Sequence, residues 1–255
     1  MAVEFQECLK SLRLPGVKDC YQEVADRARA QRYTYEQYLA EVLDREREER
    51  RQHRIERYLR ASRLPLEKNL DSFDRSRVPA KVDAQLSLLL EGSFVDRTEN
   101  ILAFGNPGSG KSHLLCALAQ ELVYQGRRVL FRSCDLLVQE LLIAKRDLRL
   151  SHVLKKLSRF QALLIDDIGY VQQSREEMEV LFTLLSHRYE RGSVMVTANL
   201  PFSEWEKIFK DPMTTAAAID RLVHHSVILE LNIPSYRLEH AQSHQRTTDS
   251  SGEAK

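Results

Sequence analysis

The sequence predicts an α/β fold, in which a five-stranded parallel sheet with helices on both faces is preceded by a small all-helical N-terminal domain. Two observations support this prediction. Up to residue 63, apolar residues recur at helical spacing and no segment alternates as a strand does. From about residue 100, short apolar runs alternate with helical stretches, which is typical of a parallel sheet. The five runs span residues 101–104, 128–131, 162–165, 193–197 and 226–230.

The composition is that of a globular protein. Hydrophobic residues make up 43% of the 255, and the charges almost cancel to +1, so net charge neither favours nor excludes a nucleic-acid partner. The four cysteines lack metal-ligand spacing, which favours small buried residues in a reducing compartment. The N-terminus has no signal pattern and no apolar run approaches about 18–20 residues, so we expect a cytoplasmic protein without a membrane partner.

Residues 1–63 are predicted to form the helical domain. Thr34 and Gln37 have the spacing of a capping box, which would start a long third helix. Four arginines on that helix share one face: Arg47, Arg50, Arg54 and Arg57. This face is either a solvated charged surface or a contact for DNA phosphates, and the residues alone leave both open.

Turn signals divide the rest of the chain. Pro65 and Pro79 predict that residues 64–80 form a linker strapped onto the following domain, which runs over 81–240. The last residues, 241–255, are small and polar, and we expect them to be disordered.

A phosphate-binding motif carries the strongest chemical signal. Residues 105–112 read GNPGSGKS, a full match to G-x-x-x-x-G-K-[ST], with an apolar strand before it and a helix after it. Glycines let backbone N–H groups approach the phosphates of ATP, and a helix N-terminus favours an anion. Lys111 is expected at the β- and γ-phosphates and Ser112 on Mg²⁺. The predicted nucleotide-binding residues are Gly105, Asn106, Pro107, Gly108, Ser109, Gly110, Lys111, Ser112 and His113.

Two acids follow the third apolar run. Residues 162–165 end in Asp166 and Asp167, and the carboxyl end of a central strand lies beside the phosphates in such folds. Asp166 is expected to hold Mg²⁺ through water, and Asp167 to polarise the attacking water as general base. A strand followed by a solvated turn would explain a single acid, but a pair that follows a P-loop favours the functional interpretation.

Three further polar sites come later in the chain. Asn199 closes the fourth run and could position the attacking water, although Asn before Leu-Pro is also ordinary turn chemistry. Arg221 either pairs with Asp220 or Glu230, or reaches the γ-phosphate of a neighbouring subunit as an arginine finger. The pair His224-His225 has no partner ligand nearby and is assigned to packing or capping.

Several separated segments resemble one family. They are the run RYERGSVMVTANLPFSEWEKIF, then DRLVHH and SYRL, and the N-terminal LKSLRLPG and YTYEQYLAEVLDREREERR that lead to SFD. Together they are similar to the IstB-type ATPase subunits of bacterial insertion-sequence transposition systems. That family is related to the DnaC helicase loaders within the AAA+ ATPases. The resemblance covers nearly the whole chain and implies a P-loop AAA+ ATPase core.

By position, the resemblance makes Lys111 and Ser112 the Walker A contacts and Asp166 and Asp167 the Walker B acids. Asn199 then becomes sensor 1, Arg221 a finger acting in trans and Arg237 a second sensor.

Two departures from the family pattern bear on these roles. Relatives commonly have glutamate at the position of Asp167, and the shorter aspartate implies slow hydrolysis or a use of ATP as an assembly switch. Ile233-Pro234 replace the usual Gly-Glu before Ser-Tyr-Arg. Proline removes a backbone donor there, which puts the role of Arg237 in doubt.

The resemblance also implies partners. It predicts an oligomer, a ring or spiral with ATP sites at subunit interfaces, that assembles on duplex DNA, deforms it, and recruits and stimulates a partner transposase. The DNA contacts would lie on the arginine face of the third helix and on a second basic segment. The residues of that segment are Lys145, Arg146, Arg149, Lys155, Lys156 and Arg159. Contacts to phosphates give an affinity that falls with salt.

Two other functions stay open at this point. A DnaC-like helicase loader would share the core and differ in the partner that its N-terminal domain binds. A P-loop kinase for a small molecule predicts an arginine-rich lid, which residues 145–159 could imitate. The acid pair and Arg221 fit hydrolysis at a subunit interface better.

Overall fold

The computed structural model describes residues 2–169, 174–206 and 212–236, and its contacts divide the chain into two compact units, 1–58 and 59–255. Within the described residues, no helix combines the length and the apolar character that crossing a membrane requires.

Three helices account for the first unit: α1 (Ala2–Ser11), α2 (Pro15–Gln31) and α3 (Tyr35–Ser62), whose last residues belong to the second unit. The predicted capping box is confirmed. Thr34 N–H donates to Gln37 Oε1 at 2.8 Å, and Gln37 N–H donates to Thr34 Oγ1 at 3.3 Å. The core of this unit consists of Leu9, Val17, Val24 and Val42, with Leu14, Cys20, Tyr21 and Tyr38 packed against it.

A buried carboxylate accepts a hydrogen bond from a backbone amide at the N-terminus of α2. Glu46 of α3 is only 4% exposed, and its carboxylate accepts Val17 N–H at 3.1 Å and Arg50 Nε at 2.6 Å. Burial opposes the charge, but the hydrogen bonds from Arg50 and Val17 outweigh it, so the pKa of Glu46 lies below its ordinary value. Gly16 permits this contact, because a Cβ there would lie 3.0 Å from Glu46 Cα.

The second unit contains the predicted five-stranded, all-parallel sheet. Its strands are β1 (Asn100–Gly105), β2 (Val129–Ser133), β3 (Ala162–Ile168), β4 (Ser193–Ala198) and β5 (Ser226–Leu231). They lie in the order β2-β3-β4-β1-β5. Each apolar run of the sequence is a strand, with small differences at the ends.

Helices precede and connect these strands. They are α4 (Ala80–Leu89), α5 (Ser93–Asp96), α6 (Lys111–Tyr124), α7 (Cys134–Arg146), α8 (Leu150–Leu157), α9 (Arg175–Arg188) and α10 (Pro212–Val223). Short 3₁₀ turns cover Arg75–Arg77 and Phe202–Glu204. Helix α6 is buried along most of its length, as expected for a helix that packs on the centre of a sheet.

The strand order places the chemistry at one edge. Because all strands are parallel, the carboxyl ends of β1, β3 and β4 meet there, and β1 lies next to β4 although β2 and β3 come between them in the chain. Ligands of open α/β sheets bind at such a reversal of strand order. Gly105, Asp166 and Ala198 lie at or near these ends.

Candidate nucleotide site

The loop after β1 turns sharply at three glycines. Gly105, Gly108 and Gly110 have φ values of 148°, 80° and 91°, which L side chains rarely adopt. Space is also short, since a Cβ on Gly105 would meet the Leu231 carbonyl and one on Gly108 would meet the Ser235 side chain. A tight glycine turn that leads into a helix N-terminus exposes backbone N–H groups to an anion. The backbone therefore has the phosphate-binding form that the motif predicts.

Two buried polar groups of the loop suit a triphosphate. Lys111 is 4% exposed, and its Nζ donates to Gly105 O and Asn106 O, both at 2.8 Å. Ser109 Oγ is buried and has no hydrogen-bond partner among the described residues. A buried hydroxyl without a partner costs stability unless a ligand satisfies it. Phosphate oxygens would satisfy Ser109 and pair with Lys111, so this chain's residues fit ATP.

The two acids occupy a β-bulge. The pairing of β3 with β4 shifts between Ile165 and Ile168, so Asp166 and Asp167 together oppose Thr197 of β4. Asp166 is 9% exposed, whereas Asp167 is exposed and has a φ of 63°. The bulge thus separates the acids into one buried and one accessible carboxylate.

Thr197 connects the two acids. Its buried hydroxyl donates to Asp166 Oδ1 at 2.6 Å and accepts Asp167 N–H at 2.8 Å. The sequence did not predict this residue. Its signal was weak, one of two hydroxyl residues in the mostly apolar strand SVMVTA, two residues before Asn199.

The loop, Asp167 and Asn199 line one cavity of about 600 Å³. The P-loop residues in its wall are Pro107, Gly108, Ser109, Gly110, Lys111, Ser112 and His113. The structure therefore brings together the P-loop, Asp167 from the end of β3 and Asn199 after β4. Asp166 is buried beside Thr197.

The predicted linker forms a second part of the wall. Its lining residues are Glu67, Lys68, Ser72, Phe73, Asp74, Arg77 and Val78. His113 Nε2 lies 3.0 Å from Asn69 O and 3.1 Å from Ser72 Oγ, and the His113 ring packs edge-on against Phe73 at 5.2 Å. Gln120 of α6 donates to two carbonyl groups of the same segment, at 3.2 and 3.0 Å. The segment is bound to α6 over much of its length.

The residues after β5 complete the wall. Tyr236 N–H donates to Gly108 O at 3.0 Å, and the Arg77 guanidinium lies 5.0 Å from the centre of the Tyr236 ring. The sequence did not predict Phe73, Arg77 or Tyr236 as site residues, because isolated aromatic and basic residues carry no motif. Arg237, the predicted second sensor, lies outside the described residues.

Arg221 does not line the cavity. It is half-buried on α10, where its Nη1 donates to Ala217 O at 2.7 Å and its guanidinium lies 4.9 Å from the centre of the Phe182 ring. Within the described part of the chain it forms no ion pair with Asp220 or Glu230. Its role at a neighbouring subunit stays a prediction.

The expectation that His224-His225 has no partner ligand nearby is wrong. Glu190 lies close enough for one carboxylate oxygen and a nitrogen of each ring to be within 4.8 Å of one another. The sequence did not indicate this contact, because Glu190 follows α9 and is distant from the two histidines in the chain. His224 Nδ1 lies 2.9 Å from Tyr189 Oη, and the two histidine rings are 4.1 Å apart, contacts that agree with packing.

The predicted DNA contacts differ in their partners. On α3, Arg47 and Arg50 each pair with an acid one turn earlier, at 3.0 and 2.6 Å. In the segment 145–159, Lys145 pairs with Glu179 at 3.1 Å. Of the ten predicted contacts, the exposed cations without an ion-pair partner among the described residues are Arg54, Arg57, Arg146, Arg149, Lys155, Lys156 and Arg159. Most of the unpaired charge therefore lies in the second basic segment.

The cysteines supply no chemistry to this site. Cys8, Cys20, Cys116 and Cys134 form no disulfide with one another. Burial, with a smaller effect of the Asp166 charge, raises the pKa of Cys116 to about 12. This thiol is protonated at neutral pH and is not a nucleophile or metal ligand there.

Comparison with known proteins decides the family. The model of the IstB-like ATP-binding proteins matches residues 7–244. The chain belongs to this family. An insertion-sequence ATP-binding protein of Sinorhizobium fredii is 43% identical to this IstB-like chain over 239 residues, which are 93% of the chain and 80% of that protein. The IS21 ATP-binding protein of Pseudomonas aeruginosa is 36% identical over 237 residues, 92% and 89% of the two chains.

Solved structures give the IstB-like chain an AAA+ fold. DnaI matches with a TM-score of 0.55 at 20% identity, over 66% of this chain and 94% of that one. The DnaC helicase loader matches with a TM-score of 0.52 at 18% identity, over 70% of this chain and 99% of that one. DnaA of Aquifex aeolicus bound to AMPPCP gives 0.54 at 18% identity, but this chain spans only 51% of it. The protein is an ATPase of the AAA+ type.

Proposed function

We propose that this IstB-like ATPase regulates transposition: it assembles on duplex target DNA with ATP, remodels the DNA, and recruits and stimulates a partner transposase. The observation that carries the proposal is the cavity where the P-loop, Asp167 and Asn199 meet, in a chain whose relatives are named for insertion sequences. An ATP site alone is compatible with many functions, and the insertion-sequence relatives favour a function in transposition.

The residues of the cavity have distinct tasks towards ATP. Lys111 and the N-terminus of α6 bind the β- and γ-phosphates. Phe73 and Tyr236 provide an aromatic wall suited to the adenine base. Asp167 accepts the proton of the attacking water, and Asn199 orients that water by a hydrogen bond.

Mg²⁺ would be held by Ser112 of the cavity wall and, through water, by Asp166, which does not itself line the cavity. The Ser112 hydroxyl and the Asp166 carboxylate are hard oxygen donors of the kind Mg²⁺ prefers, and Thr197 holds Asp166 in one orientation. The ion, when bound, neutralises charge on the phosphate oxygens.

The basic segment 145–159 is the stronger candidate for DNA. Helix α8 buries Leu154 and Leu157, and its amphipathic pattern turns Lys155 and Lys156 to solvent. Because these lysines have no ion-pair partner among the described residues, phosphates would not have to displace an acid. On α3, by contrast, Arg47 and Arg50 already pair with acids of their own helix.

The position of Arg221 supports the proposal that the chain assembles into an oligomer. It lies outside the cavity of its own chain, and its half-buried guanidinium pairs with no acid of the described residues. We assign it to the γ-phosphate of an adjacent subunit in a ring or spiral, with each ATP site completed by the neighbour.

Fluorescence anisotropy of a labelled duplex across a salt series tests the DNA contact. We compare the wild type with Lys155→Gln/Lys156→Gln and, as a matched control, with Lys10→Gln/Lys81→Gln, which removes two exposed lysines elsewhere. Loss of two phosphate contacts should make the plot of log affinity against log salt shallower by about two units, with no change in the control. An absence of duplex binding by the wild type in ATP contradicts the proposal.

A helicase loader is the second candidate, because the fold resembles DnaI and DnaC. The chain should retain a transposase, and not a replicative helicase, in a pull-down that offers both. Retention of the helicase alone would favour the loader.

A further inference from the structure

The hydroxyl of Thr197 forms a hydrogen bond with each of the two acids. A threonine hydroxyl has one proton to donate and lone pairs to accept. Here the proton points at Asp166 Oδ1 (2.6 Å), and a lone pair receives the Asp167 N–H (2.8 Å). The side chain is completely buried, and its backbone pairs with Ala103 of β1 on the other side. Its β-branch further restricts rotation.

Each hydrogen bond constrains one acid. The bond to Asp166 engages one carboxylate oxygen, Oδ1, and so restricts the orientation of the carboxylate. The bond from the Asp167 amide holds the bulged backbone, in which Asp167 has a φ of 63° and lines the cavity beside Asn199. One hydroxyl therefore controls both the orientation of Asp166 and the backbone that presents Asp167.

We propose that Thr197 is a positioning residue of the ATPase site, which couples the Mg²⁺-binding carboxylate of Asp166 to the placement of Asp167. This inference rests on the ATPase site of the chain and is independent of any DNA or transposase partner.

The regular backbone pairing of β4 does not use this hydroxyl. Strand β4 pairs with β3 and β1 by backbone hydrogen bonds, and most of its other positions hold apolar residues such as Val194 and Val196. Valine has the shape of threonine without its hydroxyl, so a sheet that needed only filling at this position would accept it.

The test compares Thr197→Val, which removes the hydroxyl, with Thr197→Ser, which keeps it. Thr183→Val is the matched control, since the exposed Thr183 hydroxyl donates only to a carbonyl of its own helix. We measure the affinity for a fluorescent ATP analogue with Mg²⁺ and with EDTA, and the steady-state kcat and KM. Thermal unfolding without nucleotide reports whether each variant folds.

In Thr197→Val, the gain in affinity that Mg²⁺ provides should fall about tenfold, as for partners that orient metal ligands, while affinity in EDTA stays within about twofold. Its kcat should fall more than its KM rises, and Thr197→Ser and Thr183→Val should stay near wild type. An unchanged Mg²⁺ dependence in Thr197→Val, an equal loss with and without Mg²⁺, or an equal loss in Thr197→Ser overturns the proposal. If Thr197→Val does not fold, Thr197→Ala is judged by the same readouts.

Discussion

Asp167 reaches the cavity through its backbone rather than through a long side chain. The bulge opposite Thr197 and the positive φ turn this residue out of the strand direction, so that an aspartate lines a wall it shares with Lys111 and Asn199. Aspartate adopts this left-handed conformation more readily than most other non-glycine residues. The geometry therefore supports Asp167 as the general base.

Removing the charge of Asp167 should slow hydrolysis and preserve ATP binding. We expect Asp167→Asn to lower kcat by about 10²- to 10⁴-fold, because the amide cannot accept a proton from water. The affinity for ATP should change little, since the P-loop is untouched. Asp147→Asn, which changes an exposed aspartate after α7, is the control. Equal kcat values for both variants would remove Asp167 from this role.

At the residue scale, the sequence predicted those site residues that belong to a recognisable motif. Lys111 and the acid pair follow from local patterns whose chemistry requires those residue types. Thr197, Phe73 and Tyr236 could not be predicted in the same way, because their roles depend on neighbours that are distant in the chain.

The turn between α7 and α8 contains a residue in an unfavourable backbone conformation. Leu148 follows the end of α7 with a φ of 56° and is 92% exposed. Glycine is the usual residue at such a position, since a left-handed conformation costs other residues about 1–2 kcal/mol.

Leu148→Gly should therefore raise stability by about 0.5–1 kcal/mol, after the larger chain entropy of glycine is subtracted. Leu136→Gly is the matched control, because Leu136 is also exposed but lies inside α7, where glycine costs about 1 kcal/mol. Thermal unfolding of both variants checks the pair. A lower Tm for Leu148→Gly would show that the leucine side chain stabilises the turn.

The contact between α2 and α3 should make the first unit sensitive to acid. Because the pKa of Glu46 is lowered by folding, its contribution is present above the ordinary glutamate value of 4.5 and is lost as pH falls through the lower folded value. Glu46→Gln should cost about 1–3 kcal/mol at pH 7, since a neutral amide replaces a charged acceptor in a buried position. The difference from wild type should shrink towards pH 3. Denaturant unfolding followed at both pH values measures it, and a difference that does not depend on pH would contradict this assignment.

At the scale of the whole molecule, the five strands were predictable because strands buried on both faces are short apolar runs. Their order was not, since the pairing of β1 with β4 and β5 is set by tertiary packing. Contacts of the segment 64–80 with His113 and Gln120 were equally hidden, because each joins residues some forty or more positions apart. The sequence predicted a strap in this segment but not its place in the nucleotide site.

If ATP sites are shared between subunits, a mixture of two inactive variants should regain ATP hydrolysis. Lys111→Ala and Arg221→Ala should each lose hydrolysis, but a mixture should regain part of it. At a mixed interface, the Arg221→Ala subunit binds ATP with its own Lys111 and receives Arg221 from its neighbour. A mixture of Lys111→Ala with Asp167→Asn is the control, because both residues serve the same chain's site. No recovery in the first mixture, although oligomers form, would place Arg221 outside the shared site.

If ATP in this cavity drives assembly on duplex DNA, sedimentation should detect the assemblies. Purified protein is compared with and without duplex DNA, in ATP and in ADP, beside Lys111→Ala and across a salt series. We expect large assemblies only with ATP and DNA, and we expect them to be lost in Lys111→Ala and weakened by salt. A protein that stays monomeric and ignores duplex DNA with every nucleotide would contradict it.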